Sequence, residues 1–210
     1  MGEKGKLFNA SHAANIDTAQ NITDVFEYVM SNASETALVN AVNWYPIAHA
    51  FCAQWAQAFG LETWQVAGIV AALSPQLSWE KNKEQAIESI ARLQNSRTLD
   101  GMMAYPANKA KAIRIFKGEA PLDVLGGMKV RSFYRNIMLD TESVTIDRHA
   151  CAIALHGLNT DKSGQVSVTD KLYRLLARAY ADVAHNYGVA PFVIQSVTWT
   201  YKAFNGGRVV

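Results

Sequence analysis

At 210 residues, half of them hydrophobic and 18% charged, the chain has the composition of a soluble globular protein with one substantial core rather than two. A formal net charge of only +2 excludes strong bulk attraction to an anionic partner, so any nucleic-acid reading depends on where the basic residues sit. Two cysteines, Cys52 and Cys151, far apart and in apolar surroundings, exclude a disulfide framework or a cysteine-held cluster and read as buried, reduced thiols.

Residues 1–17, with no apolar run of the secretory-signal kind, read as a flexible N-terminal arm. No internal repeat, low-complexity tract or linker divides residues 18–210, so a single domain is expected there. Asn21-Ile22-Thr23-Asp24 predicts the cap of a first helix with Val25, Phe26, Val29 and Met30 facing inward. Ser34-Glu35-Thr36 opens a long helical stretch through Trp44, Ile47, Phe51, Trp55 and Phe59, closed by Gly60 and kinked or interrupted at Pro46. Glu62 to Leu73 is almost wholly apolar, the pattern of a helix buried on every side, and it stops at Ser74-Pro75. Val66 to Leu73 is too short to span a bilayer, so a soluble, cytoplasmic protein with no membrane partner is expected.

Trp79 to Leu93 is amphipathic, with Ala86, Ile87, Ile90 and Leu93 inward. Asn108 to Phe116 is a further helix, with Lys109, Lys111, Arg114 and the following Lys117 at its wetter positions. Pro121 starts a short helical turn through Val124 and Leu125, Gly126-Gly127 breaks it, and a helix resumes from Lys129 to Met138. Helices are then expected from near Asp147 to Gly157, from Ser167 to Tyr187 and from Pro191 to Phe204. Only Ser143 to Ile146 has a β-like composition, and four residues make no sheet. The fold class is all-α.

Two segments carry chemistry. In Leu125-Gly126-Gly127-Met128-Lys129-Val130-Arg131, the glycines permit positive φ and close backbone approach. The helix that follows presents free N–H groups and its positive dipole end, with Lys129, Arg131 and Arg135 beside it, as a seat for phosphate. In Val144-Thr145-Ile146-Asp147-Arg148-His149, an apolar lead-in delivers an aspartate to the start of a helix, where it serves at least as an N-cap.

Together these segments resemble the helix-hairpin-helix DNA glycosylase superfamily, over roughly residues 64–158. In that family a hairpin of the type L-P-G-V-G-x-K leads into a helix, and an apolar segment then ends in the catalytic aspartate, often as V-D-x-H. Leu125 to Lys129 stands where the hairpin belongs, and Ile146-Asp147-Arg148-His149 matches the aspartate segment. About eighteen positions separate Lys129 from Asp147, which suits the family interval. Upstream, Ile69 to Gln76 is similar to the family's first core helix and the loop after it, and Tyr105 to Ile113 to the helix before the hairpin.

The resemblance implies a helical bundle with a cleft between two helical lobes, DNA as the partner, and a base flipped out of the stack for reaction. It implies Asp147 as the catalytic carboxylate and Gln76 as a wedge filling the space of the extruded base. Lys129 takes the nucleophile position if the second glycine sets the register, adding lyase chemistry; if the first does, Arg131 falls there. Gly126, Gly127, Lys129, Arg131, Lys109 and Lys111 are the expected DNA contacts, and Trp79, His149, Gln195 and Trp199 the expected base pocket. The hairpin departs from the family in lacking its proline and one residue of spacing. No four-cysteine cluster follows, so the iron–sulfur loop of some relatives is missing, and no metal or cofactor is implied.

A carboxylate beneath the sugar would stabilise the oxocarbenium character that builds as an N-glycosidic bond breaks. Removal of a damaged or modified base is therefore the leading expectation. Two alternatives use the same scaffold: installation or alteration of a modified base, as in compact phage-encoded proteins of this kind, and DNA binding without catalysis, with Asp147 merely a helix cap.

Overall fold

The computed structural model describes residue 13 and residues 15–162 and 168–204. Among these residues the protein is all-helical, with eleven α-helices, one 3-10 turn and no strand. None of these helices is long and apolar enough to cross a membrane. The chain divides into two compact units, one formed by residues 46–140 and the other by residues 1–45 with 141–210. They are called the central and terminal units here, for their places in the sequence.

The terminal unit contains α1 (Thr18–Asn32), α2 (Glu35–Val42), α9 (Arg148–His156), the 3-10 turn Gly157–Lys162, α10 (Asp170–Tyr187) and α11 (Pro191–Phe204). Helix α1 begins earlier than its sequence predicts. Asp17 is its cap, accepting from the Gln20 N–H at 3.0 Å, and residues 21–24 are helix interior. The shift follows from the core. Ile22 is fully buried with Val25, Phe26 and Val29, so the apolar stripe already needs a turn N-terminal to Asn21. Met30, expected inward, is 45% exposed. Helix α1 packs against α9, α10 and α11, and α2 against α11. Of the expected N-terminal arm, residues 1–12 and 14 lie outside the described residues, whereas Ala13 is buried.

The long stretch expected from Ser34 to Gly60 is two helices, α2 and α3 (Trp44–Phe59), and the break falls at Asn43, not at Pro46. Pro46 is the third residue of α3. In that first turn the N–H has no intrahelical acceptor, so a proline removes nothing.

In the central unit α3 continues, followed by α4 (Thr63–Leu73), α5 (Trp79–Gln94), α6 (Pro106–Phe116), α7 (Pro121–Val124) and α8 (Met128–Ile137). Every residue of α4 from Val66 to Leu73 is buried, because α5, α6, α7 and α8 all pack on it. Glu62 and Gln65 close its N-terminus as a reciprocal capping box. Gly68 lies at the tightest contact. A Cβ there would stand 2.7 Å from the Pro121 ring and 3.0 Å from Ile115, so the missing methyl group lets the start of α7 lie directly on α4.

Candidate functional site

The segment leading to Asp147 is extended but belongs to no sheet. Ser143, Val144, Thr145 and Ile146 are all buried, and one side chain answers for their backbone. The Tyr173 hydroxyl donates to the Val144 carbonyl at 2.9 Å and accepts from the Ile146 N–H at 3.2 Å. This bridge does the work of a strand partner and fixes where the next residue stands.

That residue, Asp147, caps α9. Its Oδ1 accepts from both the His149 N–H (2.9 Å) and the Ala150 N–H (2.8 Å). Its Oδ2 accepts no hydrogen bond from the described residues. One oxygen therefore orients the carboxylate, and the other meets no protein donor among the described residues.

Behind the carboxylate the terminal unit holds an unusual density of buried polar groups. The Tyr45 hydroxyl donates to Gln195 Oε1 at 2.9 Å, with both residues buried. Burial pushes the Tyr45 phenol well above its ordinary pKa; a hydrogen bond with Thr145 opposes this, and the field of Asp147 reinforces it. The Tyr180 hydroxyl donates to the Ala150 carbonyl at 3.1 Å. Burial likewise raises its pKa, against a hydrogen bond with Thr198 and with a further push from Asp147. These tyrosines are consequently neutral donors at physiological pH. His149 lies edge-on to Trp199, with ring centroids 6.1 Å apart, and its Nε2 accepts from Arg148 Nε at 3.3 Å. A neutral His149 ring then carries its proton on Nδ1.

In the central unit, α7 and α8 are joined by Leu125, Gly126 and Gly127. Gly127, with φ 73° and ψ 142°, is the N-cap of α8 and supplies no side-chain cap. The Lys111 ammonium of α6 reaches to within 3.7 Å of the point where a Gly126 Cβ would stand. Lys129 is exposed on the first turn of α8, and Arg131 Nη1 reaches back toward the Leu125 carbonyl at 3.5 Å, the long limit of a hydrogen bond.

The model of a protein family of unknown function, DUF7178, matches residues 6–205. The chain belongs to DUF7178. No curated protein and no solved structure matches it.

The DUF7178 structure assembles the sequence-derived site residues in two groups, one in each unit. In the terminal unit, Asp147 and His149 share the first turn of α9, Trp199 meets His149, and Gln195 joins the buried set through Tyr45. In the central unit, Lys111, Lys129 and Arg131 gather at the Gly126-Gly127 turn. Lys109 does not join them. It lines a separate groove beside Phe116, because residues two apart on a helix point to different faces.

Gln76 is exposed and holds a positive φ of 66°, a conformation uncommon for a residue with a side chain. Its Oε1 accepts from the Tyr105 hydroxyl at 2.6 Å. Trp79 meets Phe51 edge-on at 5.9 Å, and Lys83 Nζ lies 5.5 Å from the Trp79 ring centroid while pairing with Glu80. That side chain is thus engaged within its own unit.

Sequence reasoning did not pick out the hydroxyls of Tyr45, Tyr173 or Tyr180, and read Thr145 only as part of the apolar lead-in to Asp147. The available signal was the phenol itself, since a buried tyrosine hydroxyl requires a partner. Among the described residues, no group of three or more histidine, cysteine or acidic side chains is placed to hold a metal ion.

Proposed function

We propose that this DUF7178 protein is a DNA base-flipping enzyme of the helix-hairpin-helix glycosylase kind that cleaves the N-glycosidic bond of a damaged or modified base. The observation that carries the reading is the carboxylate of Asp147, fixed through Oδ1 by two backbone N–H groups and with no protein donor at Oδ2 among the described residues. Asp17 caps α1 through one oxygen in the same way, so the surroundings of Asp147 must set it apart. The buried Tyr45–Gln195 pair and Thr145 behind it add polar groups that a simple cap does not require.

In this reading the Gly126-Gly127 turn accepts a phosphate. The free N–H groups of α8 do so together with Lys111, Lys129 and Arg131. Gln76, with Tyr105 bonded to it, occupies the space left by the extruded nucleotide. As the glycosidic bond stretches, positive charge builds on the sugar, and the Asp147 carboxylate stabilises it where water is excluded. The base leaves with the electron pair of the broken bond, water adds at the anomeric carbon, and the proton that water loses balances the charge of the departing base. Lys129 acts as a phosphate contact here, so borohydride should trap no covalent adduct with DNA.

The test is incubation of the full-length protein with duplexes carrying a panel of damaged and modified bases, with Asp147→Asn alongside. Alkali-labile sites that form with the wild type and vanish with the variant are the expected result. A mass change in the base without its loss would replace excision by base modification. Retained binding with no reaction on any substrate would reduce Asp147 to a cap.

A further inference from the structure

On the central unit a groove of about 610 Å³ runs between the C-terminal end of α5, the loop through residues 96–100 and one face of α6. Its floor is apolar, formed by Leu93, Leu99, Ile113 and Phe116, and its walls carry Arg97, Lys109 and Lys117 against a single carboxylate, Asp100. None of these three cations forms a salt bridge among the described residues. Other cations of the same unit do: Lys81 with Glu84, Lys83 with Glu80, Arg92 with Glu88 and Arg114 with Glu119. Glu119, the acid nearest Lys117 in sequence, is hydrogen-bonded by both Nε and Nη2 of Arg114 and feels the Lys117 charge only through space.

From these features we infer a second nucleic-acid site, in which the groove holds a single-stranded segment, its phosphates on Arg97, Lys109 and Lys117 and a base against Phe116 and Ile113. The volume lies in the ~300–1,000 Å³ range of small-ligand sites, room for one or two nucleotides and not for a double helix. Lys109 stands on α6 and Lys117 is the C-cap just past its end, about 12 Å further along the axis. That spacing suits a backbone that continues past the groove. An apolar surface with one aromatic ring accepts any base face, while the cations follow the backbone, which is how single strands are held without sequence preference. The site is independent of the enzymatic reading. It would stand if Asp147 did no chemistry, and fail without affecting that chemistry.

The test is fluorescence anisotropy of a short labelled oligothymidylate with the full-length protein over a range of salt concentrations. Arg97→Gln/Lys117→Gln removes two exposed charges whose side chains make no hydrogen bond among the described residues, so the protein should stay folded with only a small drop in thermal midpoint from the lost charge at the C-terminus of α6. We expect single-strand affinity to fall about tenfold at low salt and the salt slope to shrink by about 1.4, the contribution of two single-strand phosphates. Arg97→Lys should keep the binding. Duplex binding should respond instead to Lys129→Gln/Arg131→Gln. Unchanged single-strand affinity in the first double variant, or equal losses for single strand and duplex, would overturn the inference. So would displacement of the oligonucleotide by thymidine monophosphate at a comparable concentration, since the groove would then be a mononucleotide pocket.

Discussion

At the scale of single residues, Asp147 has two duties that substitution can separate. Asparagine caps a helix about as well as aspartate, so Asp147→Asn should unfold within about 0.5 kcal/mol of the wild type while losing the proposed activity. Asp147→Ala should lose the proposed activity and also about 1–2 kcal/mol of stability, because two N–H groups of α9 lose their acceptor. Equal stability of the alanine variant, read from urea denaturation midpoints, would show that the cap contributes nothing. The cysteines give a second residue-level expectation. Burial pushes the thiols of both Cys52 and Cys151 up to about 12, with the Asp147 carboxylate adding to the effect at Cys151. Almost no thiolate exists at pH 8, so a disulfide reagent should label neither thiol in the native protein and both after denaturation. Rapid stoichiometric labelling of folded protein would contradict this. Their apolar sequence surroundings already marked both thiols as buried. The reach of Asp147 toward Tyr45 and Tyr180 was not legible, because it depends on residues more than thirty or a hundred positions away meeting in space.

At the scale of elements, the Gly126-Gly127 turn divides its labour unequally. Gly127 holds a φ, ψ combination reserved almost entirely for glycine, so Gly127→Ala should cost about 1–3 kcal/mol. Gly126 does not have a positive φ, and an added methyl would meet only Lys111 at ordinary contact distance. Gly126→Ala should therefore stay within about 0.5 kcal/mol of the wild type. Thermal midpoints of the two variants, compared side by side, decide the matter; equal losses would mean the turn is held differently. Helix boundaries that rest on local chemistry were legible in the sequence: Pro191 opens α11, Trp79 opens α5, and Gly126-Gly127 separates α7 from α8. Those that rest on packing were not. The start of α1 follows from the burial of Ile22, and the extended segment 143–146 resembles a lone strand until the Tyr173 hydroxyl is seen bridging it.

For the whole molecule, the small net charge conceals an asymmetry. Residues 46–140 carry eleven lysines and arginines against eight acids, and the remainder of the chain carries nine against ten. Any anionic partner is therefore drawn to the central unit, which holds the Gly-Gly turn and the groove, and binding should weaken steeply with salt. Stability should depend on pH mainly on the alkaline side. Cys52, Cys151, Tyr45 and Tyr180 hold their protons in the folded state to higher pH than they would in an unfolded chain. The unfolded state thus releases protons that the native state keeps. Stability is fully present below the ordinary thiol value of 9.0 and is lost as pH rises from there toward 12. Urea midpoints that stay level from neutral pH through pH 11 would contradict the assignment of these groups as buried and neutral.

The terminal unit is made from both sides of the central one in sequence, and this sets an order of events at the ribosome. Residues 46–140 form a contiguous compact unit whose contacts can begin to form as soon as it emerges. Helix α1 must wait for α9, α10 and α11, which begin 116 residues after its end and finish 172 residues after it, and at ~5–20 residues per second that is roughly 6–34 s. For that interval the face carrying Ile22, Val25, Phe26 and Val29 has no partner of its own, so the nascent chain presents a target for chaperones well before Asp147 has been synthesised.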